Sequence, residues 1–308
     1  MDNRLKHLNA LHSFEVAARH QSYSRAAEEL FVSQAAISQQ MRHLEQVLST
    51  KLFVRNGRNM ILTQSGKQLF TACQKGFNTI IDGLNSIQCE GIPGELTITS
   101  TQAFCSMWIM PRLYKFSQLH SEISIKIMGS NQVEDLSKKH IDVAIRFSTV
   151  EGRYDNEQHV VEFIGKDYVY PVCSPALLNQ GKIDSPADLL KFPLVGLANE
   201  RLVTWQQWFE HNKLEGFSDN LFKTEVTSSD LALSAVMAGH GVALAATTMF
   251  MPYLHSRQLA VPFKLKHPVE WKRYLVYNAH SAKLERIKVF CEWVKQEMAL
   301  SIKETDNF

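Results

Sequence analysis

The sequence has no run of about 18 apolar residues, which excludes a membrane-spanning helix. Cysteine is scarce. The five, Cys73, Cys89, Cys105, Cys173 and Cys291, are scattered and contain no C-x-x-C pair. That excludes a disulfide scaffold and a cysteine zinc site, and predicts reduced thiols. The first residues, Met1 to His7, lack the apolar centre of an export signal, so a cytoplasmic location is expected. The short enzyme motifs are missing too: there is no G-x-S-x-G, G-x-x-x-x-G-K-[ST], H-E-x-x-H or G-x-G-x-x-G. The twelve histidines show no metal-ligand spacing. No catalytic residue, metal ligand or cofactor is therefore expected. Internal repeats and low-complexity tracts are also absent.

What is present is ample core material. The chain has 308 residues, 45% of them hydrophobic and 21% charged, enough for two or three packed units. The net charge of +2 hides an asymmetry, because residues 1–67 carry +4 and the remainder −2. Lys51, Arg55, Arg58 and Lys67 lie in a stretch with no acid. A small cationic head on a nearly neutral body points to a polyanion as partner, or else to a solvated charged face.

Apolar spacing predicts a helix over residues 4–20, with Leu5, Leu8, Leu11 and Phe14 on one face. Ser22 or Ser24 caps a second, short helix through Leu30. After the turn Phe31-Val32-Ser33, Ser33 caps a third helix that buries Ile37, Met41, Leu44 and Leu48. Its polar face shows Gln34, Ala35, Ser38, Gln39 and Arg42. Two short helices, a tight turn and a polar-faced third helix form the helix-turn-helix pattern. The major groove admits one helix: small Ala35 and Ser38 permit close approach, and Gln34 and Gln39 can pair with base edges. Arg42 reaches phosphate or guanine. Residues 52–55 and 60–63 read as strands around Asn56-Gly57-Arg58-Asn59, a hairpin wing. Arg55 and Arg58 on it face phosphate; for Arg55 the competing reading is a pair with Glu28 or Glu45. A long helix over 63–88 carries Phe70, Cys73, Phe77, Ile80, Leu84 and Ile87 as a seam. That seam meets a second copy of the chain or the chain's own core. Residues 90–94 supply a hinge.

From Glu95 strands alternate with helices, which predicts parallel sheets with crossover helices. Strands are expected at 96–100, 123–128, 141–147, 168–173, 194–197, 222–226, 242–245 and 271–277. Helices are expected at 108–120, 133–139, around Asp188, at 205–211, 231–238 and 282–298. In open sheets ligands sit beyond the carboxyl ends of strands, where helix N-termini favour anions. That places Ser100, Thr101, Gln102, Asn131, Arg146, Phe147, Gly196, Leu197, Thr227, Ser228 and Ser229 at a candidate effector cleft. Several have a structural reading beside this one. The serines and Thr101 are helix caps or strand ends, Arg146 pairs with an acid, and Trp205 and Trp208 belong to the core or stack on ligand. Cys173 is a packed thiol or a nucleophile.

The stretch Ala17-Ala18, Ser22 to Leu30, Ser33 to Ser38, Leu44-Glu45, Leu52 to Arg55 and Leu62 to Gly66 resembles the N-terminal signature of LysR-type transcriptional regulators. The likeness continues through Pro111-Arg112-Leu113, Asp142 to Arg146, Pro171 to Pro175 and Ala238 to Leu244. Within the family it is most similar to the branch of glycine cleavage activators and the beta-lactamase regulator AmpR. Gln64 and Ser65 depart from the family pattern, as does His240 between two glycines. The resemblance implies an α/β protein with an N-terminal all-α winged helix-turn-helix and a two-subdomain effector region like a periplasmic binding protein. It divides the chain into a DNA-binding domain 1–63, a linker helix and hinge 64–92, and an effector domain 93–308. Subdomain I takes 93–164 and 266–308, and subdomain II takes 165–265. It implies double-stranded promoter DNA with an interrupted palindrome, a metabolite effector, and self-association as dimer or tetramer. RNA polymerase is carried as a further partner. By position it makes Ser33, Gln34, Ala35, Ser38, Gln39 and Arg42 groove or phosphate contacts and Arg55 a wing contact. The competing class is an α/β solute-binding protein or enzyme with no role at DNA.

Overall fold

The computed structural model describes residues 6–56, 59–87, 90–132, 136, 141–155, 158–180, 183 and 185–306. Two compact units divide the chain, Met1–Ile87 and Gln88–Phe308.

In the first unit α1 is Leu8–His20, α2 Tyr23–Glu29 and α3 Gln34–Leu48. Ser22 caps α2 by accepting from the Arg25 amide at 3.3 Å, and Ser33 caps α3 by accepting from Ala36 at 3.1 Å. Left-handed residues stop the helices: Gln21 ends α1 and Ser49 ends α3, both at φ 50°. The apolar faces meet in a core of Phe14, Val16, Ala17, Ala26, Ile37, Met41 and Leu44. Strands β1, Phe53–Asn56, and β2, Asn59–Leu62, pair antiparallel, with Phe53 opposite Leu62. Phe53 packs edge-on to Tyr23, which fastens this wing to the helices. Helix α4, Gln64–Ile87, follows. Gly66 in its first turn is required, because a Cβ there would lie 2.2 Å from the Leu52 carbonyl oxygen. The expected seam on α4 divides. Phe70, Cys73 and Phe77 pack on the unit's own core, whereas Ile80, Leu84 and Ile87 are exposed.

The second unit opens with β3, Gly94–Ser100, then α5, Gln102–Phe104, a π-helical turn Cys105–Ile109, α6, Met110–Leu119, and β4, Ile123–Gly129. Strands β5, Val143–Ser148, β6, His159–Asp167, and β7, Val169–Cys173, follow. Next come α7, Pro175–Gln180, β8, Leu194–Leu197, α8, Trp205–His211, β9, Phe222–Val226, α9, Ser229–Met237, and β10, Val242–Ala246. Helix α10, Thr247–His255, β11, Trp271–Asn278, and α11, Leu284–Asp306, complete the unit. One sheet has the order β4-β3-β5-β11-β6 and the other β7-β10-β8-β9.

Both sheets are mixed, which corrects the expectation of parallel sheets. β11 runs antiparallel to β5 and β6, and β10 antiparallel to β7. The cause is the chain path. After β6 the chain leaves through Tyr168 to build the second sheet, and it re-enters the first as β11 from the opposite direction. The helix expected at 108–120 starts earlier, at Gln102, because the π turn splices α5 onto α6. The segment around Asp188 is a 3₁₀ turn, Pro186–Lys191, begun by a capping box in which the Ser185 amide donates to Asp188 at 2.8 Å. Of the helix expected at 133–139, only Leu136 lies within the described residues.

The two sheets are fastened where the chain crosses between them. Asp167, at the end of β6, is buried and accepts from the Thr247 and Thr248 hydroxyls at the start of α10. It also accepts from the Thr248 amide at 3.2 Å and from Arg273 on β11 at 3.2 Å. The fully buried Arg273 donates in turn to the Lys166 carbonyl at 2.9 Å. Such a pair holds only while both partners are present, since either alone is a buried charge without compensation.

Candidate functional site

The first unit offers a polar face on α3. Gln34, Ala35, Gln39 and Arg42 are exposed and Ser38 is half-buried. Ser33 spends its hydroxyl on the cap, so its contribution is to hold the start of α3. Arg42 folds back on its own helix, donating to the Ser38 carbonyl at 3.4 Å and to the Ser38 hydroxyl at 3.5 Å. A concavity of about 650 Å³ opens between α2, α3 and the wing, lined among others by Ser24, Gln34, Ser38, Arg42 and Arg55.

Arg55 on β1 is exposed, and no ion pair joins it to Glu28 or Glu45. Glu45 is engaged elsewhere. It accepts from Lys51 at 2.6 Å and from the Leu52 amide at 2.9 Å, tying α3 to the root of the wing. Burial pushes the Glu45 carboxyl up, but these bonds outweigh it and hold the group below its ordinary range. Burial pushes the neighbouring Tyr23 phenol up to about 12, with Glu45 adding to the rise and the Arg55 charge opposing it. Glu29 on α2 is also neutralised. The Arg19 and His20 hydrogen bonds hold it at about 2, at 2.5 Å and 2.6 Å. Glu29 and Glu45 are thus occupied, and no ion pair to Arg42 or Arg55 is formed by either of them. Arg58 lies outside the described residues.

In the second unit the expected cleft residues separate into groups. Ser100 is buried and donates to the Ile145 carbonyl at 3.0 Å, so its hydroxyl is spent on joining β3 to β5. Thr101 caps α5, accepting from Phe104 at 3.3 Å. Asn131 spans the two sheets. Its carbonyl accepts from the Gln102 amide at 3.3 Å, and its amide donates to the Thr227 carbonyl at 3.1 Å. Phe147 is half-buried, edge-on to Phe104 at 5.2 Å. Gly196 is buried against the Phe222 ring, and Leu197 is half-buried.

Arg146 parts from Phe147. Adjacent strand residues point to opposite faces, and Arg146 pairs across the sheet with Tyr274, which belongs to the smaller cluster of Ala144 and Val276. Trp205 and Trp208 are core. Their indole nitrogens donate to the Val195 and Leu265 carbonyls at 3.1 and 2.9 Å. Ser228 occupies the N-cap of α9, yet its hydroxyl makes no capping bond. Ser229 is half-buried in the first turn of α9.

Sequence reasoning missed Asp230 and Ser106. The Ser106 hydroxyl, in the π turn, is shared between the Ala103 carbonyl at 3.2 Å and Asp230 Oδ2 at 3.4 Å. An acid two residues beyond a serine cap reads as ordinary helix-start chemistry, so no signal in the sequence marked it. Cys173 is buried, and burial pushes its thiol up to about 12, the behaviour of a packed thiol. In Gly239-His240-Gly241 the second glycine is explained by packing, since a Cβ there would meet the Pro193 carbonyl oxygen at 2.1 Å. Among the described residues no group of three or more His, Cys, Asp or Glu is placed to hold a metal ion.

Residues 8–67 match the bacterial regulatory helix-turn-helix protein family, lysR type, and residues 90–299 match the LysR substrate binding domain. The chain is similar to the glycine cleavage system transcriptional activator of Escherichia coli (strain K12), at 35% identity over 310 residues that cover 100% of this chain and 98% of that protein. It is 31% identical to the transcriptional activator AmpR of Rhodobacter capsulatus over 294 residues, 95% of this chain and 97% of AmpR. Among solved structures, full-length AphB of Vibrio cholerae shares the fold with a TM-score of 0.54, at 21% identity, over 93% of this chain and 98% of AphB.

Proposed function

The chain belongs to the lysR family of bacterial helix-turn-helix regulators, and from that premise we propose which residues carry each part of its work. The protein is a DNA-binding transcriptional regulator with an effector-binding domain. Helix α3 enters the major groove of promoter DNA at an interrupted palindrome. Gln34 and Gln39 read base edges, Ala35 and Ser38 permit close approach, and Arg42 and Arg55 meet phosphate, with Arg58 as a further wing contact. The division of labour follows residues 1–63 for DNA, 64–92 for the linker helix and hinge, and 93–308 for the effector. The exposed stripe of α4 covers a second copy, giving a dimer or tetramer. The protein acts in the cytoplasm, catalyses no reaction and works with RNA polymerase.

The effector enters between the two sheets of the second unit, at the loops of Thr101, Gln102, Asn131, Phe147, Leu197 and Thr227 to Ser229. Asn131 bonds to both margins of that cleft. A ligand shifts the regulator only as far as it binds one state better than the other.

The observation that carries the DNA reading is the exposed row Gln34, Ala35 and Gln39 on a Ser33-capped helix beside Arg55, which is exposed and has no ion pair among the described residues. Fluorescence anisotropy with base-substituted promoter duplexes tests it. Gln34→Ala relaxes discrimination by about 1–3 kcal/mol at one base position, while Arg55→Ala weakens all duplexes alike. Equal losses on specific and random DNA for both variants remove the recognition-helix assignment.

A further inference from the structure

The polar groups at the cleft fall into two classes. Ser100, Thr101, Gln102 and Asn131 have spent hydrogen bonds on the fold. Around the start of α9 the accounting does not close. Asp230 Oδ1 is shielded from solvent and has no hydrogen-bond partner among the described residues. Asp230 Oδ2 has half a partner, the Ser106 proton at 3.4 Å, which the Ala103 carbonyl holds more closely at 3.2 Å. Ser228, two residues before Asp230, leaves its own helix uncapped by its hydroxyl.

A carboxylate accepts through both oxygens, and a shielded oxygen left without a donor costs on the order of 1–3 kcal/mol. The local geometry makes this an arrangement rather than an accident of packing. Ser106 reaches Asp230 from a π-helical turn, an irregularity that is itself unfavourable and is found at functional sites. The contact joins the two sheets at the same margin as the Asn131 to Thr227 bond.

Resting on the reading of this cleft as the effector site, we propose that the effector carries a protonated amine and that Asp230 receives it, with the Ser228 and Ser106 hydroxyls beside the carboxylate. Among the described residues no group of three or more His, Cys, Asp or Glu surrounds this carboxylate to hold a metal ion. An ammonium group matches both the charge and the empty acceptor, and its bond is charge-assisted.

The test is a thermal-shift panel on the full-length protein with matched probes at millimolar concentration: L-alanine against L-lactate, glycine against glycolate, and ethanolamine against ethylene glycol. Each pair exchanges an ammonium for a hydroxyl. At saturation an amine raises Tm by on the order of 5–10 °C, its hydroxyl counterpart does not, and Asp230→Asn abolishes the shift. Without ligand, Asp230→Asn melts at or above the wild-type temperature. A ligand-free Tm lowered by several degrees makes the carboxylate structural and overturns the proposal. A panel in which only hydroxyl compounds stabilise, or none does, also overturns it. Ser228→Trp, which fills the cleft, keeps the two readings apart. A compound lost in Ser228→Trp but indifferent to Asp230→Asn leaves the cleft standing and refutes the amine. A compound indifferent to Ser228→Trp binds elsewhere and removes the cleft reading itself.

Discussion

The proposed DNA face in the first unit and the proposed effector cleft in the second are assembled differently. The face comes from residues 33–58, one helix and the hairpin that follows it. The cleft gathers residues near 101, 131, 147, 197 and 228, brought together only once two sheets have formed. On the proposed face Gln34, Gln39 and Arg55 are exposed and make no side-chain hydrogen bond among the described residues, so their residue types speak directly about a partner. At the proposed cleft the Ser100, Thr101 and Asn131 side chains are consumed by the fold, while Ser228 makes no capping bond and Asp230 Oδ1 has no donor among the described residues. A polar residue at a strand end is therefore weak evidence for binding until its hydrogen bonds have been counted.

The strongest way to break this comparison is to dissolve one region and leave the other. Removing Asp167 leaves Arg273 buried and unpaired, which costs about 3–5 kcal/mol. All five tryptophans lie beyond residue 100, so their fluorescence reports on the second unit alone. Urea denaturation of Asp167→Ala followed by tryptophan emission is expected to move to a lower midpoint, by that energy divided by the m-value, while a duplex-binding assay below the transition still detects the DNA face. An unchanged midpoint contradicts the crossover account.

A sharper comparison sets two N-cap serines against each other. Ser33 makes its capping bond and Ser228 does not. Ser33→Ala is expected to cost about 1 kcal/mol of first-unit stability, read by far-UV circular dichroism. Ser228→Ala stays within about 0.5 kcal/mol, read by tryptophan emission. Equal losses would place Ser228 in an ordinary cap.

The smallest effect is on pH. Glu45 is held below its ordinary value by Lys51 and two wing amides, against the pull of burial. A carboxyl lowered on folding stabilises the folded state above its unfolded pKa. That contribution fades as pH falls through the lower folded value. First-unit stability is expected to drop on the acid side of the ordinary glutamate range, and Glu45→Gln flattens that limb. The second unit has lowered carboxyls of its own, Glu162 and Glu270, so the Glu45→Gln comparison is read on the first unit.

The same contrast decides what could be read in the chain alone. The helix-turn-helix was legible because its signals are local: Ser22 and Ser33 as caps, apolar spacing through Leu44, and the hairpin around residue 57. The strands of the second unit were legible as short β-branched runs such as Val143 to Phe147. Strand β6 was not. It is an edge strand with Phe163 exposed and Gly165 at φ 130°, so its alternation is broken. Helix α10 was hidden by Pro252 inside it and by an apolar run that reads as a continuation of β10. The face on which Arg146 lies follows from pairing with Tyr274, a residue 128 positions away. Asp230 becomes informative only when its partners are counted across the cleft.

The central claim is that the first unit grips duplex DNA through α3 and the wing. It is tested most directly by the salt dependence of binding to the protein's own promoter duplex. About 8 phosphate contacts give a slope of log Kobs against log salt near −7, and Arg55→Ala makes that slope shallower by about 1. A flat salt response, or a slope untouched by Arg55→Ala, contradicts the account.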